Sequence, residues 1–575
     1  MYVGHGRCAC AGITMGKVLH IKTPEMADTV RTSKTIEEEL SLFESALGKA
    51  QAELESLITK AQQEIGAEQA EIFEIHRMML DDPDICDNIR ERIKQGGINA
   101  ADAAIAVGRE QAHDFEQLDD DYMRERAADV KDVTSRIARI VRGGEAVTLT
   151  ESVVIVADDL QPSQTVAMDR SKILGFVLRH GTQNSHASIL ARTMNIPLII
   201  NANLPKSLDD SEQGGTAAAE GEDCLDLNGK FIGVNAATGT FYVEPNEATI
   251  TQLQQEKDAF DQRRIRQLAL RGQQGISQSG HRILTFANIG QVDDVEQVLE
   301  NDGEGIGLFR SEFLYLGRST PPTEEEQFKA YAKVASTMNG KIVIIRTLDI
   351  GADKKVDYFN LPEEENPAMG VRALRICLMQ PEIFKTQLRA IYRAAARGNI
   401  AMMFPMVTRL SEVTEAKAIC AEVEAELKAE GQAYAVPKIG IMIETPAAAI
   451  LSAELAHHVD FFSVGTNDLT QYTTACDRQN QNLGKFYDPH HEAVLALLRL
   501  IAQNAHAAGI PAGICGELAA DPELTDLFVE MGYDELSVSP GAILALRERI
   551  RASTTQCQSE LSNARVHLGE IIKRH

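Results

Sequence analysis

The sequence predicts a multidomain α/β protein: a small α/β domain with an inserted all-α helical subdomain, a linker helix, and a C-terminal (β/α)8 TIM barrel. Three observations carry this. The chain has 575 residues, too many for one core and enough for about three domains. From about Thr35 to Arg142 nearly every apolar residue recurs with helical period. From about Arg264 onward, short apolar runs alternate with amphipathic stretches.

Taken in order, "ITMGKVLHI" is a strand candidate. The helical stretch that follows includes "TIEEELSLFESALGKAQAELESLITKAQQEI", with apolar positions at i, i+3, i+4 and i+7. Glycines interrupt it at "KQGGINAADAA". This reads as antiparallel helices over 31–145. Strand-like runs then resume: "SVVIVADDL", "ILGFVLRHG", "IPLIINAN" and "FIGVN". The α/β domain is therefore discontinuous, 1–30 and 146–245. The polar helical stretch over 246–263 links it to the last domain, 264–575. There the strand candidates are "ILTFANIG", "GIGLFRSEF", "KIVIIRTLD", "IAMMFPMV", "KIGIMIETP", "FFSVGTNDL", "PAGICGEL" and "ELSVSP". A doubly wound open sheet would call for a glycine-rich dinucleotide turn after an early strand, and none is present.

Composition excludes several classes. A net charge of −27 argues against nucleic acid and anionic membranes as partners, though a local arginine cluster still accommodates an anionic substrate. No run of about 18 apolar residues predicts a membrane span. The N-terminus lacks the pattern of a signal peptide. The nine cysteines are odd in number and scattered, which points to a reducing, cytoplasmic setting. Cys8 and Cys10 form the one close pair and read as small strand or turn residues rather than metal ligands.

In a (β/α)8 barrel the working groups stand at the C-terminal ends of the strands. Here those ends offer Arg310 and Glu312, Arg346 and Asp349, Met406, Glu444, Asn467 and Asp468, and Cys515 with Glu517. Any one could be a structural ion pair; their repetition at one rim points to a site. Arg310, Arg346 and Arg372 suit phosphate and carboxylate oxygens, and Arg478 is close enough in sequence to join them. Glu444 and Asp468 are hard oxygen donors from adjacent strands, the usual means of holding Mg²⁺ together with substrate phosphate. Cys515, flanked by glycine, either donates a proton or is a small buried hydrophobe. His186, in "GTQNSHASILAR", sits at a predicted helix N-terminus, which attracts anions. Alone it reads as a helix-start histidine. In a chain with a phosphate-and-cation site it becomes a nucleophile for phosphorus.

The motifs "GIGLFRSEFLYL", "PPTEEEQFKAY", "RTLDIGADK", "EENPAMGVRALR", "IMIETPAA", "FFSVGTNDLTQYTTACDR" and "GICGELA", with "AGITMGK", "EIFEIHRMMLDD", "RERAADVKDV" and "DLQPSQT", run almost the whole chain. On them the sequence resembles the Enzyme I family of bacterial phosphotransferase systems, the phosphoenolpyruvate–protein phosphotransferases. The resemblance implies that His186 is the phosphorylated histidine and that Glu444 and Asp468 bind Mg²⁺. It implies that Arg310, Arg346, Asn467 and Arg478, joined by Arg372 and Lys354, hold phosphoenolpyruvate. Cys515 would be the acid that yields pyruvate. The helical insert would dock the phosphocarrier HPr, with His76 in the matching first-helix stretch, and the barrel would form a homodimer. The sequence departs from the family's Gly-Gly-x-Thr-Ser-His turn at Thr182 and Asn184, and Ala11 replaces a usual proline. A positive φ at Thr182 would cost about 1–2 kcal/mol. A paralogue serving a specialised, nitrogen-type carrier is the alternative. A dikinase would need an ATP-binding domain that the residues before His186 do not supply. A non-catalytic sensor of phosphoenolpyruvate leaves the intact rim set unexplained, and a helical scaffold ignores the barrel.

Overall fold

The computed structural model describes residues 1–21, 34–64, 67–116, 121–144, 149–160, 164, 168–181, 185–205, 225–316, 318–351, 356–359, 361, 364–478, 480, 483 and 485–557. The chain forms two compact units, Met1–Arg263 and Arg264–His575.

The first unit contains an eight-stranded sheet in the order β1-β8-β7-β3-β4-β5-β6-β2. Its strands are β1 (Tyr2–His5), β2 (Arg7–Cys10), β3 (Ile13–Ile21), β4 (Val153–Ala157), β5 (Ile173–Leu178), β6 (Leu198–Ile200), β7 (Phe231–Asn235) and β8 (Thr240–Val243). The strands β3, β4, β5 and β6 run parallel, and β4, β5 and β6 are apolar apart from Gly175, as strands covered on both faces must be. Three strands escaped the sequence reading: β1, β2 and β8. Each has four residues, too short to show a period. Cys8 and Cys10 lie in β2.

Between β3 and β4 the described residues form five helices: α1 (Ile36–Glu64), α2 (Ala67–Leu80), α3 (Pro83–Lys94), α4 (Ala100–Glu116) and α5 (Asp121–Val141). They share a core that includes Phe43, Leu54, Phe73, Ile89, Val133 and Ile137. Asp82 caps α3 by accepting from the backbone N of Asp84, and Pro83 opens its first turn. Gly96 and Gly97 take φ of 78° and 83° in the turn before α4. Gly108 lets α4 lie against α5: a Cβ there would sit 2.0 Å from Thr134 Oγ1.

Helix α6 (His186–Met194) joins β5 to β6, and α7 (Glu247–Leu268) is the polar helix expected as the linker, ending five residues later than expected. Among the described residues no helix is long and apolar enough to cross a membrane.

The second unit is a closed barrel of eight parallel strands: β9 (Leu284–Ile289), β10 (Gly305–Arg310), β11 (Val343–Arg346), β12 (Ile400–Phe404), β13 (Lys438–Ile443), β14 (Phe461–Val464), β15 (Ala512–Ile514) and β16 (Glu535–Val538). All eight match the runs picked from sequence. Alternate residues split into two cores. Ile306, Ile345, Phe404, Ile441, Val464 and Leu536 pack in the larger cluster with the helices. Leu284, Phe286, Leu308, Ile344, Met403 and Met442 fill the lumen with Cys515.

Candidate active site

The polar groups are gathered where the strands end. Arg310 closes β10 and Arg346 closes β11. Glu444 follows β13, and Asn467 and Asp468 open the helix Thr466–Thr474 just after β14. Cys515 follows β15. Lumen-facing alternation then ends in charge: Ile342 and Ile344 lead to Arg346, and Met442 leads to Glu444.

Arg346 is buried and bound twice over. Its Nη2 lies 2.5 Å from Glu312 Oε1 and its Nη1 2.8 Å from Asp349 Oδ2. Arg372 takes the other oxygen of Asp349, Nη2 to Oδ1 at 2.9 Å, and donates to the Tyr472 hydroxyl at 3.2 Å. The same Nη2 is 3.9 Å from Asp468 Oδ2, and Arg478 Nη2 is 3.8 Å from Asp468 Oδ1. The Nε–H groups of Arg346 and Arg372 and Asp468 Oδ1 are buried and make no hydrogen bond among the described residues. Such groups are costly when left unpaired, so they mark a place built for an occupant. Arg310 forms no side-chain hydrogen bond or ion pair among the described residues, which leaves its guanidinium available at the rim.

Glu444 Oε1 accepts from the backbone N of Met406 at 2.6 Å. Met406 adopts a φ of 56°, a left-handed turn that aims its N–H inward. Burial pushes the Glu444 carboxyl up to about 8, helped by the negative charges of Asp468 and Asp349 and opposed by Arg346 and Arg372. Two buried carboxylates that resist sharing negative charge, one with an oxygen lacking a donor, suit a hard cation. Among the described residues no group of three or more His, Cys, Asp or Glu forms a metal cluster.

Asn467 accepts from the backbone N of Glu517 at 2.9 Å through its side-chain oxygen. The Glu517 side chain is exposed, so its backbone, not its carboxylate, reaches the rim. Cys515 is buried, its Sγ 3.6 Å from the carbonyl of Val464. Burial pushes its thiol up to about 12, so it stays protonated at neutral pH.

In the other unit, His186 is the first residue of α6. Ser185 caps this helix by accepting from the backbone N of Ser188 at 3.4 Å. Ala187 and Ala191 bury the helix against the sheet, fixing where its N-terminus stands. The His186 side chain, Thr182, Asn184 and Lys354 lie outside the described residues.

His76 calls for a correction. It sits in α2, fully buried, with Nε2 3.0 Å from Asp129 Oδ1 and Nδ1 3.8 Å from Asp132 Oδ2. It ties α2 to α5 from inside and presents nothing to a docking partner. The sequence reading also missed Tyr472 and Gln387. Gln387 accepts from the N of Leu348 and donates to Ser311 Oγ and Tyr331 Oη, bracing the ends of β10 and β11. A buried glutamine in an amphipathic helix gives no periodic signal.

Three family descriptions match the chain in succession: PEP-utilising enzyme, N-terminal, over residues 5–126; its mobile domain over 149–239; and its PEP-binding domain over 265–555. The chain is 38% identical over 550 residues to the phosphoenolpyruvate-protein phosphotransferase of Priestia megaterium, covering 95% of this chain and 93% of that one. It is equally similar, 38%, to those of Bacillus subtilis (strain 168), over 95% and 94%, and Staphylococcus carnosus (strain TM300), over 98% and 96%. With its closed barrel and its guanidinium-and-carboxylate rim, the chain belongs to the phosphoenolpyruvate-protein phosphotransferases, transferases of the PEP-utilising enzyme family.

Proposed function

We propose that the chain moves the phosphoryl group of phosphoenolpyruvate to its own His186 and then to a histidine of the phosphocarrier HPr, releasing pyruvate as the first step of sugar uptake. The observation that carries this is the convergence of Arg346, Arg372, Glu444 and Asp468 at one barrel rim, with Arg310 at the end of the neighbouring strand.

In this reading Arg310, Arg346, Arg372 and Arg478, with the Asn467 amide, hold the substrate's phosphate and carboxylate. Glu444 and Asp468 would hold Mg²⁺, which would supply positive charge to offset that of the substrate. The neutral His186 ring attacks phosphorus, an N–P bond forms, and the P–O bond to the enol oxygen breaks. Guanidinium groups stabilise the charge on the transferring group. The leaving enolate takes a proton from Cys515 Sγ at its methylene carbon and becomes pyruvate. His186 and the rim belong to different units, so turnover requires those units to approach and part, with residues around α7 as the hinge. HPr docks on the helical insert, the barrel pairs two copies of the chain, and the enzyme works in the cytoplasm.

The deciding measurement is uptake of label from phosphoenolpyruvate carrying radioactive phosphorus. His186→Ala should take up none. Undiminished labelling would defeat the assignment.

A further inference from the structure

Tyr472 joins two parts of the rim that come from distant places in the chain. Helix Thr466–Thr474 follows β14 and carries both Asp468 and Tyr472. They are four residues apart, so one face of the helix presents a carboxylate and a phenol together. The other part is the segment 364–373, between β11 and β12, which ends in Arg372 and Ala373. One hydroxyl bonds to both ends of that segment. Tyr472 Oη accepts from Arg372 Nη1 at 3.2 Å and donates to the carbonyl of Ala368. A phenol has one proton to give and lone pairs to receive, so it serves both contacts at once.

The backbone beside Arg372 is fixed at further points. Glu364 accepts from the backbone N of Val371, at 3.0 Å through Oε1 and 3.1 Å through Oε2. Gly370 leaves room for that carboxylate, which a Cβ would strike. Arg375 Nη1 donates to the carbonyls of Met369 at 2.9 Å and Gly370 at 2.8 Å. Ala373 takes a φ of 54°, a left-handed backbone that a residue with a Cβ keeps only where its surroundings hold it. Its N–H donates to the carbonyl of Ile350 at 2.9 Å. Arg372 therefore leaves the chain from a set position, and its side-chain partners decide where the guanidinium rests.

Those partners hold it at two corners. Nη1 rests on Tyr472, and Nη2 on Asp349 Oδ1 at 2.9 Å. Nη2 is 3.9 Å from Asp468 Oδ2, beyond hydrogen-bond range although the charges attract. Arg372 Nε and Asp468 Oδ1 are buried and make no hydrogen bond among the described residues. A closed pair between Arg372 and Asp468 would satisfy both and cancel their charges, yet the two stand apart.

Resting on the reading of Arg372 as a substrate-binding group, we propose that Tyr472 is a positioning residue: its hydroxyl, with Asp349, holds the Arg372 guanidinium short of a closed ion pair with Asp468 and so keeps it for the phosphoenolpyruvate anion. Tyr472 acts through Arg372, and no bond at the phenol is made or broken in the reaction. Without the hydroxyl the guanidinium relaxes toward Asp468. The incoming anion must then break that pair, which weakens binding while leaving the transfer step itself largely intact.

The test compares the full-length wild type, Tyr472→Phe, Arg372→Met and the double variant. Steady-state pyruvate release gives KM and kcat, and calorimetry with Mg²⁺ present gives phosphoenolpyruvate affinity. In Y472F the KM should rise about tenfold and the affinity fall by the same factor, with kcat within about threefold of wild type. In the R372M background, adding Y472F should change affinity by less than about twofold, because the tyrosine has lost the group it acts through. Should Y472F fail to fold, Y472Q keeps the position polar but is too short to reach both partners, and should show the same pattern. A full tenfold effect of Y472F in the R372M background would overturn this inference alone. So would unchanged KM and affinity in Y472F, whatever its urea midpoint, or a loss confined to kcat. A wild type that does not bind phosphoenolpyruvate, or an R372M that binds it undiminished, would overturn the reading of the site and this inference with it.

Discussion

Arg346 and Asp349, three residues apart, meet as a buried ion pair at 2.8 Å just beyond the end of β11. Asp349 passes its other oxygen to Arg372, so one carboxylate sets two guanidinium groups at the rim. Removing it leaves Arg346 with Glu312 and Arg372 with Tyr472 and the more distant Asp468, each short of one buried partner. Asp349→Ala should cost about 3–5 kcal/mol, the usual penalty for orphaning a buried charge, read as a lower urea midpoint. Its KM for phosphoenolpyruvate should rise as well.

Glu444 is backed by the bare Cα of Gly465. A Cβ there would sit 2.8 Å from Glu444 Oε2 and 3.0 Å from its Cβ. Gly465→Ala should therefore turn the carboxylate away from Asp468. The Mg²⁺ concentration needed for half-maximal activity should rise about tenfold or more. An unchanged Mg²⁺ titration would remove Glu444 from the cation site.

Under the proposed function, Cys515→Ala removes the proposed proton donor but none of the groups proposed to bind the anion. Pyruvate formation should slow about 10²-fold or more, while phosphoenolpyruvate binding measured by calorimetry stays near wild type. A parallel loss of binding would mean that the thiol is structural.

Stability should depend on pH through Glu535. Its carboxyl is raised from 4.5 to about 8 in the folded chain. Between those values the folded state keeps a proton that the unfolded chain has lost, so stability falls as pH rises through that window and is level below and above it. Glu535→Gln abolishes this contribution, and Glu444, raised for similar reasons, cancels in the comparison. The urea midpoint of wild type should drop relative to E535Q from pH 5 to pH 8, by on the order of a few kcal/mol in stability. Parallel curves would place the Glu535 titration outside this window.

Much of this was legible in one dimension. Each barrel strand betrayed itself as an apolar run, seven of the eight before a clear helical period, because parallel strands are covered on both faces. The rim residues Arg310, Arg346, Glu444 and Cys515 were visible because a polar group at the end of such a run is anomalous. Strands β1 and β8 were not legible, since four residues carry no period and their place is fixed by pairing with each other. His76 misled: a histidine on a polar-looking helix gave no sign that Asp129 and Asp132 would close over it.

The amino-acid order by itself determined the alternation of strand and helix, the helical insert between β3 and β4, and the residue types delivered to the strand ends. Those follow from local periodicity and from where charge interrupts an apolar run. Only the tertiary structure decided that Asp349 is shared by two arginines, that Met406 holds Glu444, and that Glu535 lies under Cys515 between two glycines. These relationships join residues far apart in the chain, and they exist because closing the barrel fixes the register of strands that share no local signal.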